Sequence, residues 1–82
     1  MTDQDKMRRG SLLATLMFAN GYATARALRD ELETVHGVAV TLDRVKADLV
    51  KLADQGLVQR REDLACITED GRSVVRGLRE LP

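Results

Sequence analysis

The chain is poor in the residues from which reactive sites are built. It holds one cysteine, one histidine and one tyrosine among 82 residues. A single cysteine excludes an internal disulfide and fits a reducing cytoplasm. One cysteine with one histidine falls short of even a three-ligand metal site, so no metal or other cofactor is expected. No H-E-x-x-H, C-x-x-C or phosphate-cradling glycine loop is present. Cys66 and His36 belong to different predicted elements, and no glycine-framed turn surrounds the thiol. The expected roles are a small buried hydrophobe for Cys66 and a helix-end residue for His36. The chain is not expected to be an enzyme.

Aromatic residues make up only 2%, Phe18 and Tyr22. No apolar run approaches the roughly 20 residues that span a bilayer, and the polar start MTDQDKMRR does not lead into a signal-peptide core. An excess of one charge is also missing, with 13 Lys plus Arg against 13 Asp plus Glu. That balance argues against a non-specific nucleic-acid coat but leaves room for a local basic patch.

What the sequence does have is hydrophobic residues, 44% of the total, and helical spacing. A core of Leu, Val, Met and Ala suits packed helices, and the length suits a single domain over residues 1–82. A core this small makes dimerisation a reasonable way to bury more surface.

The organising stretch is Thr41 to Leu57. Val45, Leu49 and Leu52 fall at i, i+4 and i+7, one stripe of an amphipathic helix. Thr41 can cap its start, and Gly56 can take the left-handed conformation that closes it. Before it, residues 3 to 19 read as a first helix, with Thr2 and Asp5 forming a weak capping box. Its apolar side is Met7, Leu13, Leu16 and Met17, widened by Leu12 and Phe18. Gly10 inside it marks either a frayed first turn or close approach by another helix, such as one from a second subunit. Thr24 can cap a second helix from Ala25 to Val35, with Leu28, Leu32 and Val35 as its buried stripe. Pairs four apart, Arg26 with Asp30 and Arg29 with Glu33, line its outer face. Val38 to Val40 is expected to pair with a later strand at a sheet edge.

After the organising helix, Leu57 to Arg61 and Leu64 to Thr68 read as two strands joined by a tight turn at Glu62-Asp63. Alternation separates Leu64, Cys66 and Thr68 from Ala65 and Ile67. Both sets are apolar enough to leave the inward face ambiguous, and Ile67 is favoured inward. Thr68 then caps a last helix, Glu69 to about Leu81, with Val74, Val75, Leu78 and Leu81 on its apolar side. The predicted order is α-α-β-α-β-β-α. It is mainly α with a small antiparallel hairpin, the order of a winged helix-turn-helix.

At these residues the chain resembles winged helix regulators of the broad MarR, PadR and ArsR kind. The likeness runs from about Leu12 to Gly77. It is carried by L-x-x-L-x-x-x-G-L-V (Leu49, Leu52, Gly56, Leu57, Val58) and by I-T-E-D-G-R (Ile67 to Arg72). More closely it resembles small winged helix proteins of Mu-like prophages, whose D-x-x-x-x-D-L-x-x-L-x-x-x-G-L-V pattern matches Asp43 to Val58. The larger family implies sequence-specific binding of double-stranded DNA by a dimer, and hence transcriptional regulation. The prophage group implies no established activity.

In such folds the third helix enters the major groove and the wing touches the backbone or minor groove. Opposite the apolar stripe stand Asp43, Ala47, Val50, Lys51 and Asp54, with Arg44 and Lys46 on the flanks. The candidate DNA-binding residues are Thr41, Arg44, Lys46, Ala47, Lys51, Arg60 and Arg61, because cationic donors match guanine edges and phosphate oxygens. Arg60 and Arg61 would sit near the wing tip. Lys6, Arg8 and Arg9 could add a basic spot on the first helix. Against this, the stretch Thr41 to Asp54 carries Arg44, Lys46 and Lys51 against Asp43, Asp48 and Asp54, summing to zero. The alternative is a protein-interaction module that uses the same scaffold without DNA. A homodimer is expected through the first and last helices, by way of Leu12, Leu16, Val75 and Leu78.

Overall fold

The computed structural model describes residues 2–82. Its elements in chain order are α1 (Asp3–Phe18), β1 (Tyr22–Thr24), α2 (Ala25–His36), α3 (Leu42–Asp54), β2 (Val58–Arg61), β3 (Leu64–Ile67) and α4 (Glu69–Val75). Each helix begins at a threonine in extended conformation whose hydroxyl accepts an amide proton of the first turn: Thr2 from Asp5, Thr24 from Ala27, Thr41 from Arg44 and Thr68 from Gly71. These bonds satisfy amides that no helical carbonyl can reach. At Thr2 the capping box is complete, since Asp5 also accepts from the Thr2 amide. Both hydrogen bonds of the box close the first turn of α1, several residues before Gly10. A Cβ at Gly10 would meet nothing within 4 Å.

The core joins Leu12, Leu13 and Leu16 of α1, Leu28 and Leu32 of α2, and Val45, Leu49 and Leu52 of α3 to Leu57, Val58, Ala65 and Ile67 of the wing region. The Val45, Leu49, Leu52 stripe is thus buried as its spacing predicts. Burying one such leucine contributes about 1.5–3 kcal/mol. Leu12 and Leu16 are fully buried within the protomer. This corrects the expectation that they are surplus surface for a second subunit. Val35 is exposed, which corrects its expected place in the buried stripe of α2, and so are Met7 and Phe18.

The short strand lies elsewhere than predicted. Val38 to Val40 forms no ladder. β1 comes before α2, at Tyr22 to Thr24, and the observed order is α-β-α-α-β-β-α. The turn before it explains why. Asn20 and Gly21 both have positive φ, the Gly21 amide returns to the Leu16 carbonyl at 2.8 Å, and the Gly21 carbonyl accepts the Ile67 amide at 2.8 Å. That turn delivers Tyr22 to β3, where Tyr22, Ala23 and Thr24 pair antiparallel with Cys66, Ala65 and Leu64. The sheet order is β1-β3-β2.

The hairpin closes with Glu62-Asp63 between Arg61 and Leu64, which pair with each other. Glu62 takes φ of 55°, a left-handed conformation that hairpin turns of this length require and that favours Gly, Asn or Asp. Ala65 and Ile67 point inward, as expected for Ile67. α4 stops at Val75, short of Leu81, and Gly77 beyond it has positive φ. Leu78 is exposed, while Val74, Val75 and Leu81 pack on the core from outside.

Candidate nucleic-acid interface

α3 lies on the core by its buried stripe and turns Asp43, Arg44, Lys46, Ala47, Val50, Lys51 and Asp54 to solvent. Asp48 enters the zero charge sum of the stretch Thr41 to Asp54 but does not belong to its outer face. Asp48 is fully buried. Its carboxylate accepts from Arg8 Nε, from Arg8 Nη2 at 2.9 Å and from Arg9 Nε at 3.0 Å. The exposed charges of α3 are therefore Arg44, Lys46 and Lys51 against Asp43 and Asp54, a net positive face rather than a neutral one.

The same cluster takes two of the three cations of the expected basic spot on α1 and leaves Lys6 exposed. Arg8 and Arg9 are only 13% and 12% exposed at their side chains and both pair with Asp48. Arg8 also reaches Asp5 at 2.7 Å. Its hydrogen bonds to Asp48, then to Asp5, raise the Arg8 guanidinium above its ordinary pKa. The Arg8 hydrogen bond, helped by Thr2, holds the Asp5 carboxyl down at about 2.

Ion pairing divides the cations by location. Arg8 and Arg9 of α1, Arg29 on the outside of α2, and Arg76 and Arg79 near the C-terminus all have carboxylate partners. Arg29 pairs with its neighbour Asp30 rather than with Glu33. Among the described residues, Lys6, Arg26, Arg44, Lys46, Lys51, Arg60, Arg61 and Arg72 have no such partner. A net charge of zero thus conceals a segregation. The paired cations all sit away from α3 and the wing, whereas six of the eight unpaired ones sit on α3, the wing and the start of α2, the other two being Lys6 of α1 and Arg72 of α4.

Two grooves show which way these cations face. One, of about 480 Å³, runs between the start of α2, one flank of α3 and the hairpin, and is lined by Arg26, Lys46 and Arg60 together with Glu62 and Asp63. The other borders the opposite flank of α3, where Arg44 faces the segment from His36 to Thr41 and the start of α1. The structure therefore separates residues that the sequence treats alike. Lys46 faces the wing and Arg44 faces away from it. Arg60 shares the inward face of its strand with Val58 and lines the groove, whereas Arg61 pairs with Leu64 on the other face. Ala47 stands exposed between the two flanks, and Lys51 stands on the Arg44 side. The Thr41 hydroxyl already accepts from the Arg44 amide at 3.2 Å, which leaves its remaining donor and acceptor capacity for a guest.

Arg26 was not singled out from the sequence. Its four-residue spacing to Asp30 suggested an ordinary surface pair, but Asp30 is engaged by Arg29, and the first turn of α2 carries Arg26 to the groove instead. Cys66 and His36 lie apart, as their elements imply. His36 Nε2 lies 3.2 Å from the Thr15 hydroxyl, an α1–α2 contact, while Cys66 is a half-buried residue of the central strand. No group of three or more metal-ligating side chains occurs among the described residues, and no helix among them is long and apolar enough to cross a membrane.

No family model matches the chain, and no curated protein matches it. It is similar to two solved structures, the complex structure of hsRosR-S1 and that of hsRosR-S4. Each has a TM-score of 0.75 and 23% identity over 94% of this chain. The matched part is 68% of the first and 66% of the second. At that identity the likeness is one of fold. It agrees with the helix and strand order described above in making this chain a winged helix, mainly helical with a three-stranded antiparallel sheet.

Proposed function

We propose that this chain binds double-stranded DNA through α3 and its wing and acts as a transcriptional regulator. The observation that carries the reading is the concentration of unpaired cations on α3, the hairpin and the start of α2, in a protein whose other arginines are largely paired. Affinity for DNA comes mainly from phosphate neutralisation. Cations on both flanks of an exposed helix suit a backbone on either side of a major groove. Arg44 and Lys51 would hold one strand, and Lys46, Arg60 and Arg26 the other. Ala47 would face the bases, Thr41 would meet a phosphate at the helix start, and Arg61 would touch backbone beside the wing. The fold shared with the hsRosR complexes supports the reading.

The active species is proposed to be a homodimer, because one small core leaves Met7, Phe18 and Leu78 uncovered. Sedimentation at micromolar concentration should give a dimer, and monomer alone would contradict this. DNA binding is tested by selection from random duplexes at moderate salt, with an Arg60/Arg61 double alanine variant as control. Enrichment of a common sequence that the variant fails to enrich supports the reading. No salt-dependent binding to any duplex contradicts it.

A second reading, a module that binds protein instead, has one observation in its favour. Phe18, Tyr22, Val35 and Leu64, all exposed, surround one groove of about 700 Å³. Phe18→Ser should leave the salt dependence of DNA binding unchanged if α3 and the wing are the DNA surface. A chain that binds no duplex but is competed from a protein partner by the loss of Phe18 would favour this second reading.

A further inference from the structure

The exposed line of α3 farthest from its buried stripe is Asp43, Ala47, Val50, Asp54. This line contains no hydrogen-bond donor. Its centre, Ala47 and Val50, is apolar, and Val50 is 42% exposed. Unpaired cations stand on either side, Arg44 and Lys51 on one flank and Lys46 on the other, so the helix can be held against a duplex without using its central residues. The two carboxylates lie at the ends of the line and confine the apolar patch to the middle turn. A surface of this kind cannot donate to guanine O6 or N7. In the major groove the feature that matches exposed methyl groups is the 5-methyl of thymine.

We propose that α3 reads thymine, with Ala47 and Val50 packing on the 5-methyl groups of thymines on neighbouring base pairs while the flanking cations hold the backbone. Residues three apart on a helix have Cβ atoms about 5–6 Å from one another. That separation spans between one and two of the steps of about 3.4 Å by which stacked bases rise. The inference rests on the DNA-binding reading above and adds the chemical feature that is read. It gives Val50, which the charge argument ignores, a role in specificity rather than in affinity for DNA at large.

The test resynthesises a duplex selected from a random pool with deoxyuridine in place of each thymidine, which deletes only the 5-methyl groups. Wild-type protein should bind the deoxyuridine duplex about fourfold more weakly per contacted methyl, as expected for loss of one buried methyl group. In Val50→Ala the ratio between the two duplexes should shrink by about the same factor, while the dependence on salt stays as in wild type. Val50 lies on the surface, so its variant should melt at the wild-type temperature, and the comparison is made at equal folded fraction. Equal affinity for the two duplexes overturns the thymine reading and leaves DNA binding standing, and so does a selected site without thymine. A ratio that Val50→Ala leaves unchanged overturns the assignment to α3. Failure to bind any duplex overturns this inference together with the reading beneath it.

Discussion

Asp48, in the middle of α3, is joined to Arg8, forty residues earlier in α1, by a forked pair of hydrogen bonds. Arg9 adds a third bond to the same carboxylate. The acid is fully buried while both arginine side chains keep a little contact with water. The cluster fixes α3 against α1 and takes one acid away from the helix's outer face.

Replacing Asp48 with Ala should therefore cost about 3 kcal/mol, the lower end of what breaking a buried pair costs, since the arginine tips can partly rehydrate. Denaturant unfolding measures it. A change under about 0.5 kcal/mol, the range of ordinary surface substitutions, would mean that the cluster contributes nothing to holding the helix.

The start of α1 should respond to acid. Asp5 titrates at about 2 in the folded chain against an ordinary value of 3.8. A carboxyl with its folded pKa depressed contributes stability that is present above the unfolded value and lost as pH falls through the folded one. The contribution of the Thr2–Asp5–Arg8 network should thus be complete above about pH 4 and gone near pH 2. Amide exchange of the first turn of α1, compared between wild type and Asp5→Asn across that window, checks it. The asparagine variant should lose most of the pH dependence there.

Gly71, in the first turn of α4, is fixed by space rather than by backbone torsion. A Cβ there would lie 2.3 Å from the Leu57 carbonyl oxygen and 2.7 Å from Ile67 Cγ1. The oxygen belongs to backbone that accepts the Thr68 amide, so it cannot simply move aside. Gly71→Ala should destabilise by about 1–3 kcal/mol, as overpacking does. Gly10→Ala, with nothing within 4 Å, should instead stabilise by up to about 1 kcal/mol through helix propensity. Thermal melts of the pair in parallel separate the two cases.

Much of the fold was legible in the residues. The threonine caps, the Val45, Leu49, Leu52 stripe and the Gly56 exit are local signals, and each describes what the backbone does there. The error over the first strand has a physical source. Val38 to Val40 has better strand composition than Tyr22 to Thr24, but pairing depends on where the Asn20-Gly21 turn delivers the chain, and no three-residue window contains that information. The burial of Asp48 is not legible in the sequence for a related reason. A carboxylate at the edge of an apolar stripe normally faces water, and only the arginines forty residues away make its burial tolerable. For the site, Arg44, Lys46 and Lys51 were recognisable as exposed helix cations. That Lys46 shares a groove with Arg60 and Arg26, and that Arg60 and Arg61 face opposite ways, depends on strand register and on the turn at Glu62.

Register also separates the cations experimentally. Arg60→Ala and Lys46→Ala should each lower the salt dependence of DNA binding by about one counterion, with melting temperature little changed. Arg79→Ala removes a cation that is paired with Asp70 at 3.0 Å and should leave the salt dependence as it is. If Arg79→Ala matched Lys46→Ala, the division between paired and unpaired cations would have no bearing on DNA.

The central claim is that α3 and the wing form one DNA surface whose cations are free to meet phosphates. Its most direct test is the slope of log binding constant against log salt concentration for the intact chain and for a variant with Arg26, Arg44, Lys46, Lys51 and Arg60 all changed to Gln. Three to five phosphate contacts per chain, counted over both chains of a homodimer, predict a slope of about −5 to −9 for wild type and, with only Arg61 of each chain left, a slope of about −2 for the variant, which should still fold. Equal slopes for the two proteins would contradict the account.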